Sequence, residues 1–141
     1  PYIFHNGTVS DADQGDDNFA AINSRQVASV ARLAGTYDHR GSGIVVRTVN
    51  GVPTYCPVSF TGIVVLNSTG SGTLSETDHD ACVGDVSGTD TITATVNSTG
   101  SGTLTFGRGG VDSIHVSKDL NTIIVSSTTS GDYTSSIAVR R

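Results

Sequence analysis

The eight residues NSTGSGTL at positions 67–74 recur unchanged at positions 97–104, and this repeat is the strongest indication of the fold. Each copy follows an alternating apolar run, which ends at Leu66 before the first copy and at Val96 before the second. An apolar strand that enters a Gly/Ser turn and leaves as a second alternating strand is a β-hairpin. The repeat therefore predicts a chain built from consecutive antiparallel hairpins.

Strand and turn signals of the same kind continue from residue 35 to the end of the chain. Serine and threonine together number 37 and only 35% of residues are hydrophobic, which is typical of strands with one wet face. Short Gly, Asn or Asp turns and one longer polar gap at 78–90 separate predicted strands at 36–40, 44–49, 58–66, 73–77, 91–96, 103–106, 113–117, 122–127 and 134–140. Closure hides one face of such a meander and leaves no long edge. The predicted fold is a mostly β, antiparallel up-and-down β-barrel of about eight strands.

The N-terminal part of the chain has a different pattern. Apolar residues between Phe19 and Ala34 recur with a period near 3.6, which predicts one N-terminal helix over residues 18–34, ended by Gly35. Residues 1–17 precede this helix as an extended segment and an acidic loop. We therefore predict a single domain over residues 18–141, in which the helix lies against a barrel formed by residues 35–141.

Charge and cysteine content limit the class of protein. The net charge is −5 and Lys118 is the single lysine, so nucleic acid is not an expected partner. No run approaches the roughly 18 apolar residues of a membrane helix, so no membrane span is expected. Cys56 and Cys82 lie 26 positions apart and predict one disulfide, with two buried thiols as the alternative. With a start at Pro1 rather than Met, these features predict a secreted, extracellular protein.

Two polar clusters offer ligands for a cation. The first is the acidic loop, whose carboxylates suit Ca²⁺ but do not follow the EF-hand spacing: Asp11, Asp13, Asp16 and Asp17. The second combines an imidazole with carboxylates near Cys82: Asp78, His79, Asp80 and Asp85. A solvated helix-capping loop and a surface turn are the alternative interpretations.

Three Asn-x-Ser/Thr triplets match the acceptor pattern for N-glycosylation, at Asn6, Asn67 and Asn97. Asn67 and Asn97 begin the two repeated turns, from which a glycan would project freely. Glycosylation at these three positions is therefore a prediction for a secreted form, although serine- and threonine-rich chains also produce the triplet by chance.

The segment Gly35-Thr36-Tyr37, followed by an antiparallel meander that ends in Arg140-Arg141, resembles the calycin superfamily and especially the lipocalins. In lipocalins a Gly-x-Trp on the first strand packs against an arginine from the end of the barrel. Tyr37 stands here in place of the tryptophan and Arg140 in place of the arginine, which implies a cation over an aromatic face. The resemblance implies binding of a small, largely apolar molecule in the barrel mouth, with no cofactor.

The leading functional hypothesis is a secreted β-barrel binding module for a small hydrophobic ligand. Polar groups on predicted strands are the candidate ligand contacts: Tyr37, His39, Arg47, Tyr55 and His115. One alternative is an extracellular structural protein whose partners are copies of itself, joined through the apolar N-terminal segment of residues 1–10. A second is a cofactor-free cyclase or isomerase that uses the same five residues. No Gly-x-Ser-x-Gly motif marks a nucleophile, so an enzyme is the less favoured class.

Overall fold

The computed structural model describes residues 28–141, which form a closed barrel of eight antiparallel strands. Each strand pairs with the next along the chain, and the first pairs with the last over Tyr37–Val45 and Asp132–Arg140. The strands are β1 Gly35–Val49, β2 Val52–Leu66, β3 Ser71–Asp80, β4 Gly84–Val96, β5 Ser101–Phe106, β6 Val111–Val116, β7 Thr122–Ser127 and β8 Asp132–Arg140. The predicted up-and-down barrel is confirmed.

The repeated octapeptide has the same role in both of its copies. In the first, Gly70 donates its N–H to the carbonyl of Asn67 at 3.0 Å, and the second copy repeats this bond between residues 100 and 97. Gly70 and Gly100 have φ of 87° and 89°, which glycine adopts without the steric cost that other residues meet. Each glycine carbonyl also accepts an N–H from a strand beyond its own hairpin, Ala94 for one and Val116 for the other, at 2.8 Å. The two turns therefore join neighbouring hairpins.

Strand β1 runs without a break, so the predicted interruption at residues 41–43 is wrong. Glycine is needed there for close approach rather than for a turn. A Cβ at Gly41 would lie 2.4 Å from the ring of Phe60, and a Cβ at Gly43 would lie 2.3 Å from the carbonyl oxygen of Tyr133. The two glycines let a 15-residue strand curve around the barrel while its neighbours cross closely.

The polar segment at 78–90, predicted as a long connection, is instead a continuous hairpin of β3 and β4. Its strands carry hydroxyl pairs across the ladder, including Ser75 with Thr89 and Thr77 with Ser87, with 2.8 Å between the oxygens in each pair. Such cross-strand pairs stabilise a sheet without apolar side chains. The disulfide between Cys56 and Cys82, which the sequence predicted, joins β2 to the turn of this hairpin.

The described part of the predicted helix is not α-helical. Residues 28–34 contain one 3₁₀ turn, Val30–Leu33, and residues 1–27 lie outside the described part of the chain. Side chains from the barrel hold this short turn in place. The carbonyls of Arg32 and Ala34 accept hydrogen bonds from the Arg140 guanidinium, and the carbonyl of Leu33 accepts one from the Tyr37 hydroxyl. These bonds supply donors for three carbonyls that would have no backbone donor at the end of a helix.

The same contacts close one end of the barrel, formed by Leu33, Tyr37, Leu66, Leu120 and Arg140 and here named the closed end. Its three apolar side chains and Tyr37 are buried in one core cluster. Arg140 lies over the Tyr37 ring, with its Cζ 5.1 Å from the ring centroid, so the predicted cation–aromatic contact is present. At the opposite end, named the open end, lie the turns at 50–51, 81–83, 107–110 and 128–131. In residues 28–141, no helix has the length and apolar character needed to span a membrane.

Candidate functional site

A cavity of about 500 Å³ occupies the barrel interior and reaches from the closed end to the turns of the open end. Strand alternation supplies its apolar walls, because every second side chain of each strand points inward. Six of these buried wall residues are Val64, Leu66, Leu74, Leu104, Ile114 and Val125. Ala94 and Ala138 also line the cavity and are too small to fill it.

Polar side chains line the same cavity nearer the open end. Four of them are carboxyl groups, Glu76 and Asp78 on β3, Asp112 on β6 and Asp132 on β8. Each has the parity of the buried residues on its strand, such as Leu74 on β3 and Ile114 on β6, so the barrel directs it inward. The cavity is therefore apolar near the closed end, which is its lower part, and acidic near the open end, which is its upper part.

His39 lies on the cavity wall and is only 7% exposed. Its Nε2 is 2.8 Å from the hydroxyl of Ser136. Its Nδ1 is 3.4 Å from Oε2 of Glu76, which is close enough for an ion pair, but the two atoms do not form a hydrogen bond. The ring also packs against Phe60, with 5.4 Å between the ring centroids. His39 is thus held by two neighbouring strands and an aromatic face.

Arg47 reaches the cavity from β1 and forms an ion pair with buried Asp80, with 2.9 Å between Nε and Oδ2. The other carboxyl oxygen of Asp80 accepts the backbone N–H of Cys82 at 2.8 Å. The Cys82 hydrogen bond, followed by Arg47, lowers the pKa of the Asp80 carboxyl despite its burial. Asp80 therefore ties the disulfide-bearing turn to β1.

Burial is the main cause that raises the pKa of Asp78 above its ordinary value, and the charge of Glu76 adds to it. Arg47 and Arg108 act in the opposite direction, and Asp80 raises the pKa slightly further. Burial is also the leading cause that raises the pKa of Asp112. Asp78 and Asp112 therefore take up a proton more readily than a carboxyl group in water does.

We expect Asp78→Asn to raise the thermal unfolding midpoint at pH 7 and to weaken its dependence on pH. Because the folded-state pKa of Asp78 is raised, the native state of the unmodified protein gains stability as the pH falls through that pKa toward about 4, the ordinary carboxyl value. The lowered pKa of Asp80 causes a loss only below that range. Melting curves at several values between pH 7 and pH 4.5 check this. Asp85→Asn, at an exposed carboxyl, is the control, and equal behaviour of the two variants would contradict the expectation.

The structure places the five candidate ligand contacts in three different locations. His39 and Arg47 line the cavity. Tyr37 is buried at the closed end and does not line the cavity, because the Arg140 guanidinium and the carbonyl of Leu33 hold its hydroxyl there. Tyr55 and His115 point outward, because each has the opposite parity to the buried residues beside it on its strand. These three side chains are therefore not cavity contacts in this structure.

The second polar cluster does not converge on one point. Asp78 and Asp80 point inward, whereas His79 and Asp85 form an ion pair on the outer face, with 2.9 Å between Nδ1 and Oδ1. Asp80 does lie close to the sulfurs of Cys56 and Cys82, but both sulfurs are in the disulfide and are not thiolate ligands. The first cluster, Asp11, Asp13, Asp16 and Asp17, lies outside the described residues.

Two of the three glycosylation triplets lie in the described part of the chain. Asn67 and Asn97 are exposed at their turns, and the Oδ1 of each accepts the backbone N–H and the hydroxyl of the threonine two positions later. Asn6 lies outside the described residues. Modification of the three asparagines stays a prediction.

Three of the four cavity carboxyl groups were not among the predicted site residues: Glu76, Asp112 and Asp132. The aromatic side chains Phe60 and Phe106 were also missed. The available signal was parity: Glu76 is two positions from the apolar Leu74, and Asp112 is two positions from Ile114. Applied along a strand, that rule places these carboxyl groups on the inner face. Only the closed barrel brings β3, β6 and β8 to one cavity.

No protein-family profile and no curated protein matches this sequence. Among solved structures, a de novo designed fluorescence-activating beta barrel is similar, with 13% sequence identity and a TM-score of 0.47 over 81% of this chain and 99% of that chain. This likeness is weak. The description of the present chain as a closed barrel rests on its own strand pairing.

Proposed function

We propose that the barrel binds a small, largely apolar molecule in its interior cavity. The observation that carries this proposal is the cavity itself, about 500 Å³ with buried aliphatic walls. Ligand sites in proteins are typically concave, about 300–1,000 Å³ in volume and mostly apolar, with a few polar groups. A filled interior, which eight strands also permit, would have argued against binding.

We further propose that the protein is extracellular and lipocalin-like in architecture. The Cys56–Cys82 disulfide supports an oxidising compartment. The contact of Arg140 with Tyr37 at the closed end supports the comparison with lipocalins, because it joins the first strand to the last in the manner that the resemblance implied.

The isomerase alternative gains less support, since only His39 and Arg47 of its five residues reach the cavity. The self-assembly alternative depends on residues 1–10, which lie outside the described part of the chain. Neither alternative has an observation of its own in residues 28–141, so we retain ligand binding as the proposed function.

Two adjacent valines on β2 provide a matched test. Val64 is 4% exposed and lines the cavity, whereas Val65 is 43% exposed and points outward. In Val64→Phe the larger ring enters the space that the ligand would occupy, so we expect at least about tenfold weaker binding, or about 1.4 kcal/mol. Val65→Phe should bind as the unmodified protein does.

Titration with the neutral fluorophore N-phenyl-1-naphthylamine measures this difference, because its emission rises in apolar surroundings. Circular dichroism and melting curves show whether each variant folds. Ala94→Leu adds a smaller side chain to the same cavity and is a second test if Val64→Phe does not fold. Equal affinities of the two phenylalanine variants, or no binding by the unmodified protein, would refute the proposed function.

A further inference from the structure

We propose that the ligand carries a protonated amine on its apolar body, and that Glu76 and Asp78 bind this group in the upper part of the cavity. This inference rests on the proposed function, because it assigns a chemical class to the molecule in the same cavity. Three features of the cavity support it: the lining charges, buried polar atoms that lack hydrogen bonds, and the aromatic rings beside them.

The charges along the cavity are predominantly negative. Among the described residues, four carboxyl groups and one guanidinium line it, and that guanidinium, Arg47, is paired with Asp80 outside the lining. Arg108 lines a smaller adjoining pocket that Glu76 and Asp78 also line, and it contacts Asp90, with 3.4 Å between Nε and Oδ2. Neither arginine therefore forms an ion pair with Glu76 or Asp78. A cation would be attracted to this cavity and an anion repelled.

Three buried polar atoms in this region lack a hydrogen-bond partner within residues 28–141. They are Oε2 of Glu76, Oδ1 of Asp78 and Nδ1 of His39. His39 itself is more than nine-tenths buried and faces the cavity. Leaving such groups unpaired in the interior is unfavourable, and more so when they are charged. An ammonium group has three N–H donors and satisfies the two carboxyl oxygens at once.

Aromatic side chains flank the same carboxyl groups. Phe60 lies directly opposite Asp78 in the β2–β3 register, which brings their Cβ atoms to within about 5.5 Å. Gly41 leaves the space that the Phe60 ring occupies. Phe106 lines the cavity from β5 and also the adjoining pocket that contains Glu76 and Asp78. Aromatic faces attract organic cations through their quadrupole, so rings and carboxyl groups favour the same kind of ligand.

This chemistry fits an organic amine better than a metal ion. Ca²⁺ takes six to eight oxygen ligands, and phenyl rings beside two carboxyl groups do not supply them. Burial and the neighbouring charge of Glu76 raise the pKa of Asp78, because both disfavour a negative charge on its carboxyl group. A bound ammonium offsets that cost, and protonation of the carboxyl group removes the attraction. Affinity for an amine should therefore fall as the pH falls.

Three naphthalene probes of similar size test the inference by calorimetry at pH 7: 2-naphthylmethylamine, 2-naphthylmethanol and 2-naphthoate. We expect the amine to bind at least about tenfold more tightly than the alcohol, and the carboxylate to bind most weakly. Asp78→Asn and Glu76→Gln should each reduce the preference for the amine over the alcohol several-fold. Asp85→Asn changes net charge equally at an exposed outer position and should alter neither affinity.

The unmodified protein provides a second measurement that needs no variant. Between pH 7 and pH 5 its affinity for the amine should fall, whereas its affinity for the alcohol should not. Equal affinity for amine and alcohol at pH 7, or an equal loss of the amine preference in Asp85→Asn, would overturn this inference while leaving the proposed function in place. Failure of all three probes to bind would overturn both.

Discussion

Replacement of Arg140 by leucine should lower the free energy of unfolding by about 3 kcal/mol, because hydrogen bonds to charged groups contribute about 1.5–3 kcal/mol each and are not additive. The guanidinium donates to the carbonyl of Arg32 at 2.8 Å, to that of Ala34 at 3.2 Å, and to the Tyr37 hydroxyl at 2.7 Å. It also covers the Tyr37 ring. Leucine retains apolar contact but leaves these acceptors without a donor.

The next residue along the chain is the control for this substitution. Arg141 donates from Nε and Nη2 to one carboxyl oxygen of Asp38, Oδ1, but both side chains are about half exposed, and exposed ion pairs contribute little to stability. Urea unfolding of Arg140→Leu and Arg141→Leu should therefore shift the midpoint strongly for the first and slightly for the second. Similar shifts would show that Arg140 does not hold the closed end together.

Removal of the disulfide through Cys56→Ala with Cys82→Ala should lower the free energy of unfolding by about 3–4 kcal/mol. The bond closes a loop between positions 26 apart, and cross-linking over that distance restricts the unfolded chain by about this amount in the chain-entropy description. Alanine is chosen because Cys56 is fully buried and alanine adds no polar group there.

Urea unfolding of the double variant, and of the unmodified protein with and without a reductant, measures the contribution of the disulfide. The variant and the reduced protein should both unfold at lower urea than the oxidised protein. Circular dichroism should remain that of a β-barrel, since the bond of the Cys82 backbone N–H to Asp80 does not require the sulfur. An oxidised protein no more stable than its reduced form would contradict the prediction.

The two stability predictions concern opposite ends of one barrel. Arg140 acts at the closed end, where 3₁₀ residues, the first strand and the last strand meet. The disulfide acts at the open end, where the β3–β4 turn lies beside Arg47 and Asp80. Between them lies the cavity. A ligand that binds only the folded barrel should raise the stability of all these variants by mass action.

Local signals in the sequence predicted several features that the structure contains. The repeated turns need glycine with positive φ, and this requirement holds wherever the hairpin lies in the fold. Alternation over two residues is equally local, and the disulfide followed from the presence of only two cysteines. The contact of Tyr37 with Arg140 came from resemblance instead, since these residues are far apart in sequence and strand periodicity does not show which strand ends meet.

Other features depended on neighbours that sequence patterns do not reveal. Gly41 and Gly43 resemble a turn in sequence, but close approach to Phe60 and Tyr133 explains them. Two carbonyls at the end of the predicted helix accept hydrogen bonds from Arg140, which lies about one hundred residues further along the chain. Tertiary contacts of this kind override local propensity.

Local sequence is sufficient for the hairpins, their turns and the two-residue alternation of each strand, because these depend on backbone sterics within a few residues. Which strands meet, and therefore which side chains share the interior, depends on the complete fold. Closure between β1 and β8 brings Glu76 and Asp78 into the same cavity as Asp112 and His39, and leaves Tyr55 and His115 outside. The physical reason is that a strand's alternation is a local property, whereas the convergence of several strands depends on their common register around the barrel.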